Sequence, residues 1–267
     1  MASVLDIVMA VVDGIMAAIP RSVPDRSALQ NCRLISHRGE HDNRHIMENT
    51  LPAFEQARSA GVWGIECDIR WTRDLVPVIC HDSKPQRVFG IDIPVSELTF
   101  QELRARVPQL PSLEAVVDDF GGNTHLMLEI KSGHWPEPAR QAETLCTVLK
   151  PLSPGDDYHL LALQTELFDH VPFVEKRFCL PVAETNVTTM SRYALEQGCA
   201  GLGGHYLLLN KTLQQRHGAA GQKLGTGFPA SRNCLFRELN RGIEWVFSNR
   251  AVALQAEVNR ALSQESG

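Results

Sequence analysis

The sequence predicts an α/β fold: a (β/α)8 TIM barrel with an extra N-terminal helix and a short insertion after the second strand region. Three observations carry that expectation. The chain has 267 residues, near the usual size of one eight-stranded α/β barrel and long for a single sandwich. From residue 31 onward, short apolar runs alternate with amphipathic stretches, the signature of repeated strand–helix units. The side chains able to do chemistry fall late in the strand-like runs, where a barrel opens its functional face.

In chain order, residues 2–19 form an apolar helix and 20–30 a polar linker. The strands are then expected at 33–37, 63–69, 125–131, 158–164, 178–184, 200–206, 222–227 and 244–248. Helices are expected near 50–60, 111–120, 138–150, 166–177, 188–198, 210–218, 231–241 and 251–264. Asn49 or Thr50 can cap the first of these, with Pro52 in its first turn and Gly61 ending it. Gly198 and Gly242 likewise separate helical stretches from strands. The chain thus divides into an N-terminal helix and linker (1–30) and a single barrel domain (31–267). Within that domain, residues 83–110 break the strand–helix rhythm and are expected at the substrate rim. No internal repeat or low-complexity tract is visible.

Composition narrows the function classes. A 43% apolar content is ordinary for a domain with a substantial core, and a net charge of −5 gives no general attraction to nucleic acid. Seven scattered cysteines, none in C-x-x-C spacing, read as free thiols in a reducing cytoplasm rather than a disulfide framework. Residues 2–19 carry Asp6 and Asp13 and no leading basic residues, which argues against both a membrane span and a secretory signal. Two readings of that helix stand: a cover for the barrel's lower mouth, or a peripheral membrane contact. Cytoplasmic localisation is expected, with a membrane-peripheral alternative. The oligomeric state is not legible.

Three short clusters concentrate the chemistry: His37-Arg38-Gly39, Glu66-Cys67-Asp68 and His81-Asp82. On a strand, Glu66 and Asp68 share one face while Cys67 takes the other. Two adjacent carboxylates repel unless a cation lies between them or they share a proton. A turn at 72–76 would fold the next run back as a hairpin and return His81 opposite Asp68. Glu129, late in a third strand, completes an oxygen-only set suited to Mg²⁺ or Ca²⁺ rather than zinc. Acids paired with arginines would explain any one of the three, but less readily all three at strand ends. His37 and His81 titrate near neutrality and can act as base and acid, in either order. His125, His159, His170 and His217 read as structural, while His41 and His45 lie in a polar loop that can face substrate or solvent. Arg38 offers a planar fork for phosphate, and Lys131, on the face of Glu129, a second positive charge. The glycines of Gly203-Gly204-His205 and Gly225-Thr226-Gly227 admit either close substrate approach or tight turns.

The order His-Arg-Gly (37–39), Glu-Asn-Thr (48–50), Glu-x-Asp (66–68), His-Asp (81–82) and Leu-Glu-Ile-Lys (128–131) resembles the glycerophosphodiester phosphodiesterase family. The resemblance implies Glu66, Asp68 and Glu129 as metal ligands, Arg38 on the phosphate, and an insertion at the position of 83–110. Glu48 and Asn49 follow Met47, where the family usually has proline, and are read as residues that orient the loop and the metal site. The last third departs from the family pattern. Thr226-Gly227-Phe228 stands in place of Trp-Thr-x-Asn, and Ser248-Asn249 in place of Thr-Asp.

The expected function is metal-dependent hydrolysis of a small-molecule glycerophosphodiester to glycerol 3-phosphate and an alcohol. Glycerophosphocholine or glycerophosphoethanolamine is expected to be preferred over lysophosphatidylcholine, because the 83–110 rim has scattered apolar positions rather than a long apolar channel. The alternatives are a lysophospholipase D-type activity on the same barrel and a catalytically silent binding barrel.

Overall fold

The computed structural model describes residues 4–264, and within them nine strands form one sheet. These are β1 (Arg33–His37), β2 (Gly64–Trp71), β3 (Pro77–Ile79), β4 (His125–Ile130), β5 (Tyr158–Ala162), β6 (Cys179–Ala183), β7 (Gly201–His205), β8 (Lys223–Gly227) and β9 (Trp245–Ser248). All but β3 are parallel, and pairing of β1 with both β9 and β2 closes them into an eight-stranded barrel. Parallel strands covered on both faces read as near-continuous apolar runs, which is why their positions follow from the sequence so closely. β3 runs antiparallel to β2 through a turn in which Thr72 and Val76 exchange hydrogen bonds. The hairpin forms as expected but one residue out of step. Cys80, rather than His81, lies opposite Asp68, its N–H donating to the Asp68 carbonyl at 2.9 Å.

Inside the barrel the side chains stack in layers. The lower layer, at the strand N-termini, is Trp63, His125, His159 and Trp245. The Trp63 ring stacks on His125 at 4.2 Å, and His159 meets Trp245 edge-on at 4.9 Å. Above it Ile35, Met127, Leu161, Leu180 and Phe247 form an apolar layer. Gly225 is small for a reason, since a Cβ there would come within 2.8 Å of the Phe247 ring. The upper layer is polar and is described below. The larger apolar core lies outside the barrel, where outward residues such as Cys67, Ile69, Leu126 and Leu128 meet the surrounding helices.

Three local expectations are revised. Residues 166–177 form no α-helix but two 3₁₀ segments, Thr165–His170 and Lys176–Phe178. Pro172 supplies the cause, because the residue before a proline is driven from helical geometry and the ring removes an N–H donor. Thr50 occupies the N-cap position of the helix Leu51–Ser59 without capping it. Its hydroxyl donates to the Met47 carbonyl instead, and Asn49 is engaged elsewhere. Finally, the helix Val4–Ala18 does not cover the lower mouth. It packs against the helix Arg232–Asn240, and the helix and the linker after it are pinned at three points. Asn233 donates to the Ala17 carbonyl (2.7 Å), Asn240 to the Ser22 carbonyl (2.9 Å), and the Tyr206 hydroxyl to Asp13 (2.7 Å). Tyr206 follows β7, so the Asp13 end of this helix stands beside the upper face. The lower end is already filled by its aromatic layer.

The segment 83–110 folds on itself. It contains the helices Gln86–Phe89 and Phe100–Arg106, the latter opened by a reciprocal Thr99–Glu102 capping box. Val95, Leu98, Leu103, Val107 and Leu110 form a small core with Val78 and Cys80, against which Phe89, Ile91 and Ile93 pack. All seven cysteines are free thiols. No helix among the described residues is long and apolar enough to cross a membrane.

Candidate active site

Barrel register delivers the chemistry to one layer. His37 is the strand partner of Glu66, and Asp68 of Glu129, so the four side chains meet at the C-terminal end of the barrel. One oxygen from each of Glu66, Asp68 and Glu129 lies within 4.8 Å of the others, and all three residues are buried. Burial of this kind demands compensation. Lys131 Nζ lies 2.8 Å from Asp68 Oδ1 and 2.5 Å from Glu129 Oε1, and Arg38 Nε lies 3.4 Å from Asp68 Oδ2. The cations act most strongly on Asp68, whose carboxyl is held well below its usual range against the opposing effect of burial. Burial and the neighbouring acids push Glu66 up, and Glu129 is raised in the same way. Two cations thus balance three acids incompletely.

Further groups hold this cluster in place. Asn49, in left-handed backbone geometry at φ 57°, donates from Nδ2 to Asp68 Oδ2 at 2.7 Å. Arg38, at φ 59°, turns the chain out of β1, and its N–H donates to Glu66. Gly39 completes that turn at φ 78°, where a Cβ would strike Ala53 and Phe54 at 2.8 Å. Glu48 is buried and accepts from Arg38, Asn43 and both terminal nitrogens of Arg87. Burial alone would raise its carboxyl, but these donors hold it down to about 2.

The two histidines are held differently. His37 Nδ1 lies 2.6 Å from Asn249 Oδ1, and its Nε2 faces Glu66 at 3.7 Å. An amide oxygen only accepts, so Nδ1 carries the proton and Nε2 is the free base. Burial, then Arg38, lowers His37 to about 4, and the Phe228 ring covers it at 4.6 Å. His81 Nδ1 lies 2.7 Å from the Asp82 carboxylate, which Arg87 also binds. Burial lowers His81 as well, with Asp68 and Asp82 acting against it.

The structure therefore gathers His37, Arg38, Glu48, Asn49, Glu66, Asp68, His81, Glu129 and Lys131 at one end of the barrel. It leaves His45 in solvent, paired with Asp42, and turns His41 to the Gly39 carbonyl. Three contributors were given no role in the sequence: Asn249, noted only as a departure from the family pattern, Arg87 and Arg70. Arg70 Nε donates to the His81 carbonyl at 2.7 Å and its Nη1 to the Ser132 carbonyl at 3.3 Å. Asn249 directly follows the last strand, and the strand-end rule that selected Glu129 applies to it equally.

All donors in the acidic cluster are oxygens, and the buried Glu66 Oε1 and Asn49 Oδ1 have no hydrogen-bond partner. An orphaned anionic oxygen beside two further carboxylates fits a hard divalent cation.

Fold and site together define a class: a (β/α)8 barrel bearing a candidate carboxylate cation site flanked by two oriented imidazoles. Residues 37–166 match the model of the glycerophosphoryl diester phosphodiesterase family. The chain is 35% identical over 133 aligned residues to mouse glycerophosphodiester phosphodiesterase 1, covering 42% of this chain and 39% of that protein. The match therefore spans well under half the length of that relative. Among solved structures, a phosphodiesterase from Oleispira antarctica in complex with sn-glycerol-3-phosphate superposes with a TM-score of 0.72 at 20% identity. The superposition covers 87% of this chain and 99% of that one. A structure from Galdieria sulphuraria superposes with a TM-score of 0.73 at 18% identity, covering 90% and 100%. At such identities these likenesses establish the barrel.

Proposed function

We propose that this protein hydrolyses small glycerophosphodiesters to glycerol 3-phosphate and an alcohol. The carrying observation is the convergence of an under-compensated carboxylate cluster with two imidazoles whose Nε2 atoms are left free. A divalent cation, Mg²⁺ or Ca²⁺, held by Glu66, Asp68 and Glu129 would neutralise charge on the phosphate and so favour attack. Arg38 and Lys131 add positive charge where the substrate anion binds. The family match over residues 37–166 supports the same reaction class.

The hydrogen-bond partners support one division of roles between the two histidines. His37, neutral and tautomerically fixed by Asn249, takes the proton from the nucleophile, either water or a substrate hydroxyl. His81 is backed by the Asp82 carboxylate, which favours its imidazolium, so it gives a proton to the departing alcohol. The 83–110 rim supports a small substrate, because its apolar side chains are spent on its own core and leave no acyl channel.

A second reading, a lysophospholipase D-type activity, is favoured by the exposure of Leu207, Leu208 and Phe228 at the upper face, with Val11 and Ile15 exposed on the adjoining helix. On this reading that helix touches membrane, otherwise the protein acts in the cytoplasm. One panel tests both: glycerophosphodiesters and monomeric lysolipids, each assayed with metal and with chelator. Cleavage of the former alone supports the first reading. A higher kcat/KM for lysolipid replaces it with the second.

A further inference from the structure

Beside the acidic cluster, with Lys131 in its wall, the upper face opens into a groove of about 360 Å³, a size near the lower end for small-molecule sites. Its walls come from two parts of the chain. Arg70, Lys131, Ser132 and His134 belong to the ends of β2 and β4, while Val95 and Ser96 belong to the 83–110 rim. We infer that this groove receives the alcohol that departs from the phosphate, and that its chemistry selects alcohols bearing hydroxyl or carboxylate oxygens over a quaternary ammonium. This assignment rests on the phosphodiesterase reading above and specifies its substrate class.

Position comes first. Arg70 donates to the carbonyl of His81, the residue placed to protonate the leaving oxygen, and Lys131 touches both Asp68 and Glu129. A phosphate at the acidic cluster would thus lie beside Lys131, whose side chain is also part of the groove wall. A leaving group must lie next to its acid, so the groove is where its substituent extends.

Composition decides the class. The lining holds two permanent cations, Arg70 and Lys131, and no carboxylate. The hydroxyls of Ser96 and Ser132 can donate, and the indole N–H of Trp71, in the same lining, has no acceptor. Arg70 uses its Nε and Nη1 on backbone carbonyls, and among the described residues its Nη2 forms no hydrogen bond. A donor-rich wall without carboxylates, in which Arg70 is the cation not paired with the acidic cluster, complements oxygen acceptors and offers nothing to a trimethylammonium group, which needs acids or an aromatic cage.

The test compares kcat/KM for glycerophosphoserine, glycerophosphoglycerol and glycerophosphocholine on the full-length, metal-supplied protein. Serine and glycerol esters are expected to exceed the choline ester. Ser96→Asp, which adds a negative charge to the rim wall without touching His81 or the acidic cluster, should lower the serine-to-choline ratio about tenfold. Ser96→Lys should raise it. Opposite shifts from one position exclude a general packing effect. A preference for choline in the unaltered protein, or a ratio unmoved in both variants, overturns the assignment while the phosphodiesterase reading stands. Failure to cleave any of the three esters overturns that reading and this inference with it.

Discussion

Arg87 and Glu48, 39 residues apart in sequence, meet through two parallel hydrogen bonds of 2.7 and 2.9 Å. The contact joins the 83–110 segment to the loop that carries Arg38 and Asn49, so rim and site are one electrostatic unit. Arg87→Ala removes a paired donor from a buried carboxylate that keeps Arg38 and Asn43. The expected cost is about 1–2 kcal/mol, or a melting temperature lower by about 3–6 °C. Hydrolysis should fall with it, because Arg87 also binds Asp82 behind His81. An unchanged melting temperature would mean that the pair contributes nothing.

Glu129→Gln keeps the shape of the cluster and removes one charge. Cation affinity should drop, and most activity with it, while the barrel stays folded, since Lys131 retains Asp68. Titration of metal against activity, with circular dichroism as the folding control, decides the matter. Full turnover in excess chelator, once elemental analysis shows the metal gone, would remove the cation from the mechanism.

The assignment of His81 as acid and His37 as base predicts unequal responses to the leaving group. His81→Ala should lose far less activity on a nitrophenyl ester, whose phenolate departs without a proton, than on a glycerophosphodiester. His37→Ala should lose activity on both. The reverse pattern would exchange the roles, and two fully active variants would dismiss the pair.

The lower layer predicts acid sensitivity unconnected with catalysis. His125 Nδ1 donates to the Asp156 carbonyl, and its Nε2 lies 2.8 Å from His159 Nδ1. Burial holds the first down to about 4 and, with its neighbour's help, the second to about 3. In the unfolded chain both take up protons near pH 6.5. Between roughly pH 6.5 and 4 the unfolded state therefore binds more protons, and stability falls as pH falls, by up to about 1.4 kcal/mol per pH unit for each histidine. Thermal melts across this window should show a shallower slope for His159→Gln than for the unaltered protein. Parallel slopes would count against the pair as a source of acid lability.

Much of this architecture was readable in the sequence, for definite physical reasons. Each barrel strand, a short run buried over most of its length, fell within about two residues of its expected place, and the strand-end rule pointed to Glu66, Asp68 and Glu129. What escaped depended on contacts across the closed barrel. Asn249 lies 212 residues from His37, and only the pairing of β9 with β1 makes them neighbours. Apolar periodicity alone suggested a helix at 166–177 and overrode the warning of Pro172. Of the two readings of the N-terminal helix, the lower-mouth cover gave way to packing on the helix Arg232–Asn240, because an apolar pattern specifies that a face is covered, not by what.

The small core beneath the rim has an evolutionary consequence. Val95 and Leu98 pack on Val78 and Cys80, and Cys80 is joined directly to His81. The wall that bounds the groove and the strand that carries the proposed acid thus stand on one foundation. A lineage that repacks Val95 to admit a different alcohol also shifts the support of its proton donor. Substrate range and turnover are therefore coupled traits here, and a change of diet should first appear as a slower protein, with compensating substitutions expected at Val78 or Leu103 rather than in the acidic cluster.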